Sequence, residues 1–119
     1  MDTRPKTIFI DIDGTIVYHT EEISTQISEP LNILEGTLEK FKEWDKKGYR
    51  IILTTGRRES ARKRTEEQLQ SLGIFYDQLL MGIGGGIRVL INDRKKGETY
   101  DTAISINLVR NEGIKNVKI

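Results

Sequence analysis

The stretch Thr7-Ile8-Phe9-Ile10-Asp11-Ile12-Asp13-Gly14-Thr15 is an apolar run that breaks into two carboxylates and a glycine. Residues 7–12 read as a buried strand, because a near-continuous run of β-branched and aromatic side chains suits a strand covered on both faces. Gly14 lets the backbone turn sharply after the pair. Asp11 and Asp13 are two apart and so begin on the same side of the strand. Carboxylates this close repel, and a cation between them keeps both ionised at neutral pH. With no cysteine and a single histidine in the chain, oxygen ligands favour Mg²⁺. The plainer alternative is that Asp-x-Asp-Gly is only the turn that follows a strand. An EF-hand is excluded, since the third acidic position and the spacing before the glycine are wrong.

Working outward, residues 16–30 are mixed, with alternating pieces at 16–18 and 23–27 that read as a loop or small hairpin ending at Pro30. Leu34, Leu38, Phe41 and Trp44 fall at helical spacing and predict a helix over 34–47, with Gly48 in the C-cap position. Trp44 is read as core. Tyr49 to Leu53 reads as a second buried strand, closing at Thr54-Thr55-Gly56-Arg57. A charged helix with a thin apolar face follows over 59–72, stopped by Gly73. Residues 75–81 form a short element, 82–86 a glycine turn, 87–91 a further strand closing at Asn92-Asp93, and 103–109 a last alternating strand near an edge. Strands alternating with helices imply an α/β fold with a parallel sheet and right-handed crossovers.

Three polar clusters thus sit just past the carboxyl ends of three expected strands: Asp11/Asp13, Thr55/Arg57 and Asn92/Asp93. Ligands bind outside those ends in open α/β sheets, so the clusters can converge on one spot. Thr55, Gly56 and Arg57 offer a hydroxyl, a bend and a guanidinium suited to a phosphate. The alternatives are an ordinary strand end and solvated charge. Asp93 would complete a metal shell, with Asn92 as ligand or orienting group; Asn-Asp is also common turn chemistry. The glycine run has neither a Lys-Ser/Thr ending nor dinucleotide spacing, and a strand rather than a helix follows it, so it reads as a tight connection. His19 is a loop residue or a substrate contact. The four Arg and one Lys between residues 57 and 64 read as an exposed helical face that could also receive an anion.

Length and composition set the frame. The chain has 119 residues, enough for one domain spanning 1–119. Its 19 basic and 18 acidic residues leave a formal charge of +1. That balance argues against a general nucleic-acid or membrane-surface binder. Absence of cysteine excludes disulfides, thiolate zinc sites, iron–sulfur clusters and cysteine nucleophiles. No apolar stretch approaches the roughly 18 residues of a membrane span, and the first residues do not form a secretory signal. A cytoplasmic location is the default expectation.

At Asp11-Ile12-Asp13-Gly14-Thr15 the sequence resembles the haloacid dehalogenase-like superfamily of phosphotransferases, which carries Asp-x-Asp-Gly-Thr after its first strand. Ile51-Ile52-Leu53-Thr54-Thr55 resembles the second motif, and Val89-Leu90-Ile91-Asn92-Asp93 the fourth. The third motif, a Lys or Arg before the fourth strand, has no clear counterpart; Arg88 and Lys95 are the candidates, with Lys95 preferred. The fourth motif has Asn-Asp where two acids are frequent, so Asp93 must carry the carboxylate role. The resemblance implies a three-layer, Rossmann-like parallel sheet with helices on both faces. The intervals between motifs leave no room for a cap domain, and residues 16–28 would form a local flap placing Tyr18 and His19 near the substrate.

The same resemblance implies a mechanism. Asp11 is the nucleophile and forms an aspartyl phosphate, Asp13 is the general acid and base, and Thr55 binds the phosphoryl oxygens. Mg²⁺ is held by Asp11, the Asp13 carbonyl and Asp93. Asp13 favours a phosphatase over a dehalogenase, and the capless form favours a sugar phosphate or similar small metabolite, with a neighbouring copy of the chain covering the site. Two other readings stay open: a non-hydrolysing phosphate-binding or regulatory module, and a polynucleotide end-phosphatase, against which the near-neutral charge counts.

Overall fold

In the computed structural model, which describes residues 2–119, three strands form a parallel sheet in the order β1 (Thr7–Asp11), β2 (Arg50–Thr54), β3 (Gln78–Leu80). The register pairs Thr7 with Arg50 through Asp11 with Thr54, and Ile52 with Gln78 through Thr54 with Leu80. All three strands therefore end together, and Asp11 stands beside Thr54 at the carboxyl edge. The expected α/β class and parallel pairing are found. Coverage of β1 on both faces is not: Ile10 is buried while Phe9 is 54% exposed. The reason is the face: Phe9 shares it with Gln78 and Leu80 of β3, and these stay exposed too.

The segment between β1 and β2 holds two helices, α1 (Ile23–Ser28) and α2 (Thr37–Lys46). On α2, Thr37, Phe41 and Trp44 recur at four and three residues and face the core. Phe41 packs with Trp44 and, edge-on, with Phe75, at centroid separations of 6.0 and 5.9 Å. The Thr37 hydroxyl donates to the Ile16 carbonyl (3.1 Å), tying the start of α2 to the loop after β1. The helix stops at Gly48, whose φ of 76° is one that glycine adopts without strain. Residues 23–27, expected as an alternating extended piece, are instead helical; Ile23 is exposed and Gln26 is the buried residue of α1.

A 3₁₀ turn (Glu59–Ala61) leads into α3 (Arg62–Ser71). Its buried face is Thr65, Gln68 and Leu69, more polar than a core-facing stripe usually is. The core joins Ile10, Ile12, Ile51, Leu53, Phe41, Trp44, Leu69, Ile74 and Leu79, and is closed from the far end of the chain by Ile114.

The two strands expected at 87–91 and 103–109 do not form. Ile87, Val89 and Ile91 are 95, 78 and 89% exposed, and Ile104, Ile106 and Val109 are exposed as well. An apolar alternating run reports a wish for burial; it becomes a strand only where a neighbouring backbone takes up its hydrogen bonds. Here no strand pairs with either run. The radius of gyration, 15.2 Å, exceeds the roughly 13.5 Å of a compact chain this long.

Candidate active site

The site grows from the turn after β1. Ile12 carbonyl accepts from the amides of Thr15, Ile16 and Val17, and the Gly14 amide donates back to Val17. This knot requires φ of 89° at Gly14, and it holds Asp11, Asp13 and Thr15 around one bend. The Thr15 hydroxyl donates to Asp11 Oδ2 (3.2 Å). Partial desolvation pushes the Asp11 carboxyl above its ordinary range, and the neighbouring Asp13 adds to that; the Thr15 hydrogen bond and the charge of Arg88 act in the opposite direction.

Asp13 is held differently. Arg57 Nε donates to its Oδ2 (2.9 Å) and Arg57 NH2 to its Oδ1 (2.8 Å), a bidentate pair. Gln26 Nε2 donates to the same Oδ1 (2.7 Å). Arg57 is 9% exposed. Its NH1 donates to Thr65 Oγ1 (2.9 Å) and Gln68 Oε1 (2.7 Å), and NH2 also reaches the Gln26 carbonyl (3.5 Å). All five N–H groups of the guanidinium are thereby occupied. Arg57 is consequently a buried hub and not the free phosphate contact expected from Thr-Gly-Arg, because no donor is left to give. It also explains the polar face of α3: Thr65 and Gln68 serve the guanidinium.

Thr55 is 2% exposed at the end of β2. Its amide donates to the Leu80 carbonyl (3.0 Å), and its hydroxyl accepts from the Arg57 amide (3.1 Å). Gly56 passes under the loop at 82–84: a Cβ there would stand 3.0 Å from the Gly84 carbonyl oxygen. The site wall is closed from the carboxyl-terminal side. Asn111, with φ of 68°, donates its amide to the Gly14 carbonyl (2.8 Å). Its side chain takes the His19 amide (2.7 Å) and gives to the His19 carbonyl (3.3 Å).

The structure thus brings Asp11, Asp13, Thr55, Gly56 and Arg57 together, with Tyr18 and His19 continuing from the same turn. It does not bring the others. Asn92 donates to Thr102, whose hydroxyl bonds the Asp93 carbonyl, and both lie on the exposed segment. Among the described residues no three His, Asp or Glu side chains are close enough to hold a metal, so the expected third ligand, Asp93, is not at the pair. Lys95, preferred for the third motif, contributes its charge at Asp2; the cation that acts on Asp11 is Arg88. The common cause is the unpaired course of residues 87–109, which leaves their end of the site unassembled.

Gln26, Thr65, Gln68 and Asn111 escaped the sequence reading. Thr65 and Gln68 share a helical face with Leu69 and Leu72, and that spacing was the available signal. Nothing in the sequence marks Asn111, whose side chain bonds the distant backbone of His19, or Gln26, which meets Asp13 only because residues 23–28 turn into a helix.

At the turn the Asp11 carboxylate is bonded by the Thr15 hydroxyl, whereas Asp13 is already engaged by Arg57 and Gln26. The oxygens of Asp11 are of the kind that would suit a hard divalent cation.

The family model described as haloacid dehalogenase-like hydrolase matches residues 8–111. The chain belongs to the haloacid dehalogenase-like hydrolase family. Among solved structures, a chain of the Pnkp1/Rnl/Hen1 complex is 28% identical with a TM-score of 0.59, covering 71% of this chain and 30% of that one. A chain of the Pnkp1/Rnl/Hen1 RNA repair complex is 29% identical with a TM-score of 0.57, covering 65% of this chain and 25% of that one. This chain therefore spans less than a third of either. The D,D-heptose 1.7-bisphosphate phosphatase from B. bronchiseptica, complexed with magnesium and phosphate, is 17% identical with a TM-score of 0.48, covering 67% of this chain and 51% of that one. No curated protein matches the sequence significantly.

Proposed function

We propose that this haloacid dehalogenase-like hydrolase is a phosphomonoesterase that works through an aspartyl phosphate on Asp11, on a sugar phosphate or similar small metabolite. The observation that carries the reading is the geometry at Asp11: a solvent-open, partly desolvated carboxyl bonded by Thr15, two residues from Asp13 at the carboxyl edge of the sheet and one strand from Thr55. Desolvation makes a carboxylate a stronger nucleophile than it is in water.

In this reading an Asp11 oxygen attacks phosphorus in line and the bond to the leaving oxygen breaks. Asp13, protonated at the start of the step, gives its proton to that oxygen and is left as the carboxylate that Arg57 pairs. Water then attacks the aspartyl phosphate, Asp13 receives the water proton, and the bond between phosphorus and Asp11 breaks to release phosphate. Positioning and charge neutralisation dominate such a transfer. The Asp11 side chain and the Asp13 carbonyl would hold Mg²⁺, which when bound neutralises phosphoryl charge. The Thr55 hydroxyl, which accepts from the Arg57 amide and keeps its own hydrogen, would donate that hydrogen to a phosphoryl oxygen.

The test is phosphate release from p-nitrophenyl phosphate and a panel of sugar phosphates, with Mg²⁺ and with a chelator. Release that needs Mg²⁺ and vanishes in Asp11→Asn is the expected result. A panel left intact by Mg²⁺-loaded protein overturns the reading.

A second reading, polynucleotide end-phosphatase, is supported by the likeness to two Pnkp1/Rnl/Hen1 chains at 28 and 29% identity. Preference for phosphorylated oligonucleotides over sugar phosphates in the same panel, with a steep loss of binding in salt, distinguishes it.

A further inference from the structure

We infer that Gln26, on the short helix α1, is a positioning residue for Asp13: its carboxamide fixes the Asp13 carboxylate and ties it to the segment 16–28. The inference rests on the proposed hydrolase chemistry for its kinetic consequence, and on geometry alone for the contact. Gln26 is 6% exposed although it sits in a six-residue helix whose other side chains face water or are half-buried. A glutamine this buried must be hydrogen-bonded throughout, and it is. Nε2 donates to Asp13 Oδ1 (2.7 Å) and to the Tyr18 carbonyl (2.8 Å). Oε1 accepts from the Thr20 amide (2.9 Å) and faces the Thr20 hydroxyl (2.9 Å).

These partners leave one orientation of the amide. The Thr20 amide can only donate, and the Tyr18 carbonyl can only accept. Turning the carboxamide over would set its oxygen against a carbonyl and a carboxylate. The NH₂ group is thereby directed at Asp13 by the flap backbone, and Gln26 transmits the place of residues 18–20 to the carboxylate.

The helix is in turn pinned from behind. Gln68 Nε2 donates to the carbonyls of Gln26 (3.0 Å), Ile27 (3.0 Å) and Glu29 (2.7 Å), and Arg64 donates to Ile27 and Ser28. Gln68 also accepts from Arg57, the other partner of Asp13. Asp13 is thus held from two sides by groups that share a support: from β2 through Arg57, and from the flap through Gln26. Arg57 supplies charge. Gln26 supplies direction, because a single neutral donor at 2.7 Å on Oδ1 sets which way the carboxylate plane turns.

The consequence is specific. Proton delivery to the leaving oxygen matters most when that oxygen is a poor leaving group, so misplacing Asp13 should slow an alkyl phosphate far more than an aryl phosphate. The experiment compares kcat and KM for glycerol phosphate and p-nitrophenyl phosphate in wild type, Gln26→Glu and Gln26→Met. Glu keeps the shape and replaces the donor by an oxygen facing Asp13; Met removes the donor without adding charge, and guards against a Glu variant that does not fold. The expected result is a kcat/KM loss of about tenfold or more on glycerol phosphate, with kcat/KM on p-nitrophenyl phosphate within about threefold, because kcat/KM reads the transfer to Asp11 and not the later hydrolysis that both substrates share. Equal losses of kcat/KM on both substrates, or none, overturn the inference. A second measurement needs no turnover: the ¹³C signal of the Asp13 carboxyl carbon at pH 7. Displacement in both variants supports the contact, and an unmoved signal overturns it. Wild type that hydrolyses neither ester, with the signal displaced in the variants, would sink the hydrolase reading and leave the contact standing.

Discussion

The guanidinium of Arg57 grips both carboxylate oxygens of Asp13, at 2.9 and 2.8 Å, while its remaining donors reach Thr65, Gln68 and the Gln26 carbonyl. One residue at the end of β2 thus fixes the acid of the β1 turn, the polar face of α3 and the position of α1. The side chains of the pair are 5 and 15% exposed, so the ion pair is a buried one.

Losing that hub is costly. Arg57→Ala leaves Asp13 without its countercharge and Thr65 and Gln68 without a donor, and should cost about 3–5 kcal/mol, as breaking a buried pair from one side does. Arg57→Lys restores the charge but not the planar fork, and should recover only part of the loss. Urea unfolding of the three proteins measures both; Lys equal to wild type would show that charge alone suffices.

Asp11→Asn should stabilise the metal-free protein at neutral pH. The Asp11 carboxyl is raised in the folded state, chiefly by desolvation, so the unfolded chain ionises it first. Its contribution to stability is present below the ordinary carboxyl range and lost as pH rises through the raised value. Thermal melts without divalent ions should show Asn ahead of Asp at pH 7.5 and the gap closing toward pH 4. A gap that widens on acidification would contradict the sign.

The sequence made the centre of this molecule legible and its periphery not. Strand β1, strand β2 and the helix carrying Phe41 and Trp44 follow from periodicity because burial alone specifies them. The Asp-x-Asp-Gly turn follows because few alternatives place two acids and a glycine after an apolar strand. Arg57 misled because Thr-Gly-Arg looks the same whether the guanidinium faces solvent or is consumed by Asp13. Gln26 was hidden by the alternation of Ile23, Thr25 and Ile27, which imitates a strand. Residues 87–91 have the composition of a strand, yet pairing depends on a neighbour that composition does not name. Asp93 inherits that failure, since the place beside Asp11 expected of it would require the missing ladder.

Gly56→Ala should loosen the wall between the β2 end and the glycine loop. The added Cβ would stand 3.0 Å from the Gly84 oxygen and 3.3 Å from its carbonyl carbon, both backbone atoms. Relief requires the loop to retreat, straining the bonds from Gly82 to Arg57 (2.7 Å) and from Ile83 to Thr55 (3.3 Å). A loss of about 1–3 kcal/mol is expected, with faster proteolysis after residue 82. Unchanged stability and cleavage would mean that the two loops do not touch in solution.

Asn111 should tolerate Gly better than Ala. Its φ of 68° lies where Gly is at ease and Ala is not. Both variants lose the paired bonds to His19, so Ala should be the less stable by roughly 1 kcal/mol. Equal midpoints in denaturant would indicate that residue 111 leaves the left-handed region once its side chain is gone.

The outer rim of β1 has a practical consequence. No strand among the described residues caps it, Phe9 shows outward, and Ile87, Val89 and Ile91 stand in water. A bare ladder recruits any extended backbone, including that of a second molecule. A formal charge of +1 supplies little colloidal repulsion to oppose this. Concentrating the protein therefore does more than multiply collisions, because each arriving molecule brings both a template and the segment to be templated.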